Sequence, residues 1–218
     1  MGRLLEKLEP EVTIDPQEHA PADIYKLLIG SIVPRPIAFV STVNAEGQRN
    51  LAPFSFFNAI CANPPLVCFS PVFKAADKAE PKDTLRNIRE TSEFVINIVS
   101  EDFAEPMNVT SGEYPPDVDE FVVAGFTAKP SVKVKAARVA ESRIHMECEL
   151  KQIITLSDKP LGGSLVIGEV LLFHIDDEII DGYRIDPDKL RAIGRMGGPT
   201  YTRTADRFDI ARPVVPKV

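Results

Sequence analysis

The sequence has few of the side chains that form disulfide frameworks or metal centres. Its three cysteines, Cys61, Cys68 and Cys148, are odd in number and include no C-x-x-C pair, so they match neither a zinc site nor a disulfide scaffold. The histidines His19 and His145, with His174, lie far apart and show no metal-ligand spacing. We therefore expect free thiols in a reducing cytoplasm and no metal site.

The common catalytic and nucleotide-binding motifs are also missing. The sequence has no G-x-S-x-G and no cysteine with an obvious histidine partner, which leaves a hydrolase without support and predicts no catalytic side chains. It has neither G-x-G-x-x-G after a strand nor G-x-x-x-x-G-K-[ST]. Both a Rossmann dehydrogenase and a P-loop enzyme are therefore excluded as readings of this chain.

Long apolar runs and excess positive charge are absent as well. No stretch approaches the roughly 20 apolar residues of a membrane span, and the N-terminus lacks the apolar run of a signal peptide. The net charge is −7, which argues against nucleic acid and anionic membranes as main partners because both require a basic face. We expect a cytoplasmic protein that binds neither.

The apolar residues of the chain are arranged mostly in strands. The 218 residues show no repeat and no linker, so we predict a single domain, 1–218. Short helices interrupt the strands rather than alternating with them, which favours a mainly β fold, a β-barrel with inserted helices, over βαβ units. Strands are predicted at 36–43, 48–53, 66–70, 93–99, 143–156 and 164–176, and helices at 22–29, 84–91, 102–110 and 117–123.

Both ends of the chain lack periodicity of their own. Residues 1–20 are polar and contain Pro10 and Pro16, and residues 199–218 contain three prolines. We interpret 1–20 as an N-terminal arm and 199–218 as a C-terminal tail. Such segments are usually ordered by packing on another surface, and a second subunit would supply that surface.

The segment 34–58 combines hydroxyl, amide and aromatic residues at the ends of a predicted hairpin. Ser41 and Thr42 end its first strand, and residues 50–58 read Asn-Leu-Ala-Pro-Phe-Ser-Phe-Phe-Asn. The hydroxyls suit phosphate oxygens, and the main chain of 50–55 suits the edge of a planar ring. The alternative is that the aromatic residues of this segment are ordinary core residues.

A second polar segment precedes the predicted helix at 84–91. Asp83 is predicted as its N-cap, and the free N–H groups of a helix start attract phosphate. Lys82, Thr84 and Asn87 would add side-chain donors beside that start. Plain helix capping explains the same residues and remains the alternative.

These segments together resemble a known family. Five motifs follow in order: Pro34-Arg35-Pro36-Ile37-Ala38, Ser41-Thr42, 50–58, Pro64-Pro65 and Lys82-Asp83-Thr84-x-x-Asn87-Ile88. The similarity continues through Glu93–Asn97, Asp119–Phe121, Glu147–Leu150, Gly168–Val170 and Arg195–Tyr201. The ordered set, over roughly 24–203, is similar to the flavin reductase-like proteins of the FMN-binding split-barrel superfamily.

The resemblance implies a six-stranded Greek-key split barrel, a homodimer and FMN bound near the subunit interface. It implies phosphate and ribityl contacts, and an isoalloxazine site formed mostly by main chain; Arg35 and Tyr201 are further candidates. The full set of expected FMN-binding residues is Arg35, Ser41, Thr42, Asn50, Leu51, Ala52, Pro53, Phe54, Ser55, Lys82, Thr84, Asn87 and Tyr201.

The expected activity is that of an FMN-dependent oxidoreductase that takes electrons from NAD(P)H and passes them to flavin, to an oxygenase partner or to another acceptor. Arg195 and the pair Gly197-Gly198 are expected at the donor site, because adjacent glycines let the backbone approach a flat ligand. Two alternatives remain: a flavoredoxin-like FMN electron carrier without NAD(P)H turnover, and a non-catalytic barrel that binds another ligand.

Overall fold

A computed structural model describes residues 11–73 and 82–215. Residues 1–10 of the predicted arm, Pro81 of the second polar segment and the last three residues of the predicted tail lie outside the described part of the chain.

The fold is built on one antiparallel sheet of seven strands. Its strands are β1 (Ala38–Val43), β2 (Arg49–Phe54), β3 (Phe57–Ala62), β4 (Pro65–Phe69), β5 (Glu93–Ile98), β8 (Ile144–Ser157) and β9 (Gly163–Ile175). The spatial order is β2-β1-β5-β8-β9-β4-β3. β2 and β3 therefore occupy the two edges, and the chain between β5 and β8 holds the small strand pair β6 (Ala128–Lys129) and β7 (Arg138–Val139).

Short helices and small strand pairs surround this sheet. The helices are α1 (Pro21–Ser31), α2 (Asp83–Thr91), α3 (Ala104–Val109), α4 (Glu120–Ala124) and α5 (Pro187–Leu190), with 3₁₀ turns at Pro16–Glu18, Glu101–Phe103 and Asp177–Ile179. The remaining strands are β10 (Ile180–Asp181) with β11 (Arg184–Ile185), and β12 (Ile193–Arg195) with β13 (Tyr201–Arg203).

The sheet buries both of its faces, each in a separate apolar core. Alternate residues of β1 point to opposite sides. Ala38 and Val40 belong to the core on one face, which we call the inner core, and Phe39 belongs to the core on the other face, which we call the outer core. Leu85 and Ile88 of α2 also belong to the inner core, so α2 is fixed against the sheet by its apolar face. The position of its first turn follows from that packing.

A glycine inside β9 is required by the packing of the inner core. A Cβ atom at Gly168 would lie 2.4 Å from the ring of Phe94, which is fully buried. The missing side chain at this position therefore makes room for the aromatic ring.

The structure confirms the mainly β class and most of the predicted elements. The hairpin at 36–53 forms with Ala38 opposite Phe54, and the two long strands pair along their length. The sheet has seven strands, one more than the resemblance implies. The strand that was not predicted is β3. Five of the six residues of β3 are exposed, and a strand without a buried face has no apolar alternation to reveal it.

Two local predictions were wrong. Lys82, not Asp83, is the N-cap of α2, and Asp83 is its first helical residue, whose carboxylate accepts from the side chain of Arg86. The predicted tail is also not irregular throughout, since Tyr201–Arg203 pairs with β12. Beyond that strand, residues 205–215 are exposed.

Candidate functional site

A chain of buried polar side chains connects β1, β2, α2 and α4. The amide oxygen of Asn50 accepts from Thr84 at 2.7 Å and from Thr42 at 3.5 Å. Asn87 in turn donates to the hydroxyl of Thr42 at 3.0 Å. The structure thus brings together three residues predicted for the phosphate and ribityl chain, Thr42, Thr84 and Asn87, with Asn50, which was predicted for the ring site. All four are at least nine-tenths buried.

Glu120 at the start of α4 completes this network, and sequence reasoning missed it. Its carboxylate accepts from the side-chain amide of Asn50 at 2.8 Å and from the main-chain N–H of Leu51 at 3.0 Å. Burial raises the pKa of Glu120, partly opposed by these N–H donors. The motif Asp119-Glu120-Phe121 is part of the family resemblance, but none of its residues was predicted to belong to the site. Glu120 orients the amide of Asn50: the amide nitrogen faces the carboxylate of Glu120, so the amide oxygen faces the hydroxyls of Thr84 and Thr42.

Charged side chains surround the first turn of α2. The ammonium group of Lys82 lies 5.7 Å from the centre of the Phe54 ring, and Arg86 pairs with Asp83 in the same turn. The first turn of a helix also presents N–H groups without intrahelical partners. This place combines two cations with main-chain donors, which suits an anionic group.

Three adjoining cavities meet at Pro53, which lines all of them; we call them together the groove. The helix-end cavity, of about 190 Å³, is lined by Asn50, Ala52, Lys82, Thr84 and Glu120 among others. The aromatic cavity, of about 290 Å³, is lined by Phe54, Ser55, Phe56, Phe73 and Lys82 among others. The arginine cavity, of about 230 Å³, is lined by Arg35, Ser55, Asn108, Arg195 and Tyr201 among others.

The free edge of β2 runs along this groove. Among residues 11–73 and 82–215, β1 is the one strand that pairs with β2, and the N–H of Leu51 points away from β1, because it reaches Glu120. Pro53, two residues on, presents its main chain to the same side by the alternation of an antiparallel strand. That edge offers main-chain oxygen, and the proline removes one donor. A planar ligand with N–H and carbonyl groups on its edge fits such a strand.

Arg35 lines the arginine cavity, but its donors are used by the fold. Its guanidinium, almost fully buried, donates to the carbonyls of Ile29 at 2.5 Å, Ile32 at 2.8 Å and Met196 at 2.9 Å. A fourth contact joins it to the hydroxyl of Ser55 at 3.3 Å. Burial lowers the pKa of Arg35. Arg35 therefore fixes the end of α1 and the turn after β12 beside the groove, and its contact with Ser55 joins them to the end of β2.

Arg195 and Tyr201 form the wall of the arginine cavity. The guanidinium of Arg195 lies 4.3 Å from the centre of the Tyr201 ring, and the Tyr201 hydroxyl donates to Asn108 at 2.9 Å. The adjacent turn depends on glycine, since Gly198 has φ +59°. Gly198 lines the cavity, whereas Gly197 lies against Gly30 of α1.

Four of the predicted residues do not line the groove: Thr42 and Asn87 lie in the buried network behind it, and Ser41 and Leu51 face the other side of the sheet. Ser41 projects from the face of β1 opposite to Thr42, and its hydroxyl donates to the main-chain carbonyl of Ala137. The side chain of Leu51 is fully buried in the outer core. Neither side chain lines the groove, because neighbouring residues of a strand face opposite sides.

The histidines pair with polar groups of the fold. His174 lies 2.6 Å from the carboxylate of Glu147, and Nδ1 of His145 lies 2.8 Å from the amide oxygen of Asn97. Burial, with Arg138 nearby, lowers the pKa of His145 to about 4. Within residues 11–73 and 82–215, no group of three or more His, Cys, Asp or Glu side chains is arranged to hold a metal ion.

Similarity to known proteins indicates the family of this chain. Residues 29–188 match the family model of the flavin reductase like domain. Nitrilotriacetate monooxygenase component B of Bacillus cereus is 38% identical, with 93% of this chain and 100% of that chain covered and a TM-score of 0.87. The 2-nitrobenzoate 2-nitroreductase NbaA of Pseudomonas fluorescens is 34% identical, with 94% and 99% covered and a TM-score of 0.84.

A third structure supports the fold. It is a flavin reductase with a split-barrel domain from Shewanella frigidimarina, 22% identical, which covers 93% of this chain and 100% of that chain with a TM-score of 0.80. The matched family model runs from the end of α1 to the start of α5, so it includes β2 and α2 but not Tyr25, Arg195 and Tyr201 of the arginine cavity. The chain belongs to the flavin reductase-like family, whose members are split-barrel flavoproteins.

Proposed function

We propose that the protein is an FMN-dependent oxidoreductase that takes electrons from NAD(P)H. The observation that carries the proposal is the groove along the free edge of β2. It joins a polar end beside α2, a middle part walled by aromatic side chains, and an arginine-bearing end. The phosphate and ribityl chain of FMN match the polar end, and its planar ring matches the middle part, which leaves the arginine-bearing end open beside the ring.

The residues present fit FMN in one orientation. Lys82 and the first turn of α2 would hold the phosphate, and Thr84 would lie beside it. Asn50, oriented by Glu120, would meet the ribityl chain. The main chain of Leu51 to Ser55 would face the ring edge, with Phe54 close to Lys82. Thr42 and Asn87 would keep these side chains in place from behind.

When bound, FMN supplies the hydride-accepting chemistry, which needs a stacked donor and a dry site more than a protein acid or base. Among the described residues that line the groove there is no histidine or cysteine, and the proposed reaction does not need one. The protein would orient the ring through main chain and apolar walls. Positive charge from Lys82 and Arg195 near the groove would favour the reduced, more negative state.

Flavin selectivity tests this assignment. We expect FMN to bind at least as tightly as FAD, because the polar end at α2 suits a terminal phosphate and nothing beside it resembles an adenylate site. Quenching of flavin fluorescence on titration with each flavin measures both affinities. Much tighter binding of FAD would overturn the choice of FMN while leaving a flavoprotein.

We also propose a homodimer. Tyr25 and Leu28 of α1 and Ile32 just after it are exposed, as are Phe208 and Ile210 of the tail. Tyr25 also lines the groove. Exposed apolar side chains in such number are typical of an interface. Light scattering of the FMN-loaded protein is expected to give twice the chain mass of 24.0 kDa. A particle of one chain mass with FMN bound would exclude an interface site.

A flavoredoxin-like electron carrier is the second candidate. It would use the same flavin groove but would take electrons from a protein donor, so failure of NAD(P)H to reduce the flavin separates it from the first. The similarity to component B of a monooxygenase favours an oxygenase as the acceptor for the reductase version.

The free thiols Cys61, Cys68 and Cys148 suit a reducing cytoplasm. No helix among residues 11–73 and 82–215 is long and apolar enough to cross a membrane.

A further inference from the structure

Arg195 is unusual among the arginines of this protein. In the part of the chain that the structure describes, four arginines have neither a hydrogen-bond acceptor nor a carboxylate partner for the guanidinium: Arg89, Arg184, Arg195 and Arg212. Three of these are exposed, whereas Arg195 is half-buried and lines the arginine cavity. A partly desolvated cation without an acceptor is costly, so an anion at this place would be stabilised.

The charge of the arginine cavity differs from that of the rest of the groove. Arg35 and Arg195 both line it, and none of its described lining residues is acidic. The aromatic cavity contains Glu113, and the helix-end cavity contains Asp83, Glu113 and Glu120. In a chain of net charge −7, this cavity is therefore a local positive site.

The walls of the cavity combine aromatic and apolar surface with polar groups. Tyr201 is held by its hydrogen bond to Asn108 and by the guanidinium above its ring. Tyr25 also lines the cavity and lies against Phe56 at 6.3 Å between ring centres. The apolar side chains of the lining are Ile29, Ile37 and Met107, and the uncharged polar ones are Ser55, Asn108 and Ser111. Aromatic and apolar surface with a few placed polar groups is typical of sites for small planar ligands.

We propose that the arginine cavity binds a small aromatic carboxylate, with the ring between the apolar walls and the carboxylate on Arg195. A guanidinium offers two parallel N–H donors in the geometry of a carboxylate. The volume of about 230 Å³ is below the roughly 300–1,000 Å³ of sites for larger ligands, which favours a single ring over a whole dinucleotide.

The proposal rests on the proposed function, because Pro53 and Ser55 belong both to this cavity and to the segment expected to face the flavin ring. A ring in the cavity would then lie beside the flavin. The occupant would be the compound whose oxidation or reduction the protein couples to its flavin.

Benzoate and its neutral counterpart benzamide are the probes. Each is titrated into the FMN-loaded protein, and the change in the flavin absorption spectrum gives the affinity. We expect benzoate to bind at least about tenfold more tightly than benzamide, since a charge-assisted pair contributes on the order of a tenfold factor or more. Arg195→Met should remove that preference and leave benzamide binding unchanged.

The controls separate the possible outcomes. Arg89→Met removes an exposed arginine far from the cavity and should not change benzoate affinity. Equal affinities for benzoate and benzamide, or an unaltered preference in Arg195→Met, would overturn the proposal. ADP-ribose is the third probe. If it changes the flavin spectrum in an Arg195-dependent way and benzoate does not, the cavity serves a dinucleotide, and the proposal is overturned.

Failure of the proposed function is detected independently. FMN affinity of the wild type and of Arg195→Met is measured first. If the wild type does not bind FMN, the flavin assignment is wrong. Calorimetric titration of the flavin-free protein with benzoate and benzamide then decides the anion site alone. Tighter binding of benzoate that needs Arg195 supports it, and absence of that preference overturns it.

Discussion

Replacement of Lys82 by alanine is expected to weaken FMN binding by roughly 10- to 100-fold and to leave riboflavin binding almost unchanged. Lys82 lines both the helix-end and the aromatic cavity, beside the first turn of α2. A charged hydrogen bond to phosphate contributes about 1.5–3 kcal/mol, and about 1.4 kcal/mol corresponds to a factor of ten. Fluorescence quenching with the two flavins measures both affinities.

Thr84→Ala extends this test to the hydroxyl beside Lys82. In the structure that hydroxyl donates to Asn50, so the change removes a neighbour of the phosphate and also loosens the ribityl side. We expect a smaller selective loss of FMN than for Lys82→Ala. Arg89→Ala, an exposed position on the same helix, is the matched control. Equal losses of FMN and riboflavin in either variant would mean that the residue stabilises the fold and does not contact phosphate.

Removal of the Glu147 carboxylate is expected to destabilise the fold by about 3–5 kcal/mol, because it leaves buried donors unpaired. Glu147 is fully buried on β8. Its carboxylate accepts from the main-chain N–H groups of Val132 and Lys133 and contacts His174. Urea unfolding of Glu147→Ala measures the loss. Glu149→Ala, an exposed glutamate two residues along the same strand, should change stability little.

The pH dependence of this effect has a defined sign. Burial alone would raise the pKa of Glu147, but the N–H groups of Lys133 and Val132 and the His174 ring outweigh it and lower the pKa below its ordinary value of 4.5. The carboxylate therefore stabilises the fold fully above that value and loses its effect as the pH falls through the lowered pKa. The stability difference between wild type and Glu147→Gln should narrow below about pH 4.5. A difference that is constant down to acid pH would contradict this.

The sequence was most informative where one face of an element is apolar. The hairpin β1–β2, the long strands β8 and β9 and helix α2 were all predicted from their apolar residues, and the structure places them close to the expected bounds. β3 was not predicted because it is exposed, and β13 because its three residues are too short to show a period. In both cases hairpin pairing with the neighbouring strand, β4 or β12, creates the element rather than an apolar pattern of its own.

The residues predicted for the flavin site remain a prediction, and the structure shows how they are arranged. Thr42, Asn50, Thr84 and Asn87, which the sequence assigned to two parts of the site, form one hydrogen-bonded network. The sequence could not show that Ser41 faces the other side of β1, since strand register decides that. Glu120 was missed because a glutamate that begins a short helix looks like ordinary capping until its partner strand is known.

The reduction of bound FMN by a nicotinamide tests the central claim most directly. The FMN-loaded protein is titrated with NADH and with NADPH without oxygen, and the flavin absorption band is followed, with dithionite as the control for a reducible flavin. We predict that an equimolar amount of one of the two nicotinamides bleaches the band and that admitted oxygen restores it. If dithionite bleaches the bound flavin while neither nicotinamide does, the protein is not an NAD(P)H-dependent oxidoreductase, and the electron-carrier assignment takes its place.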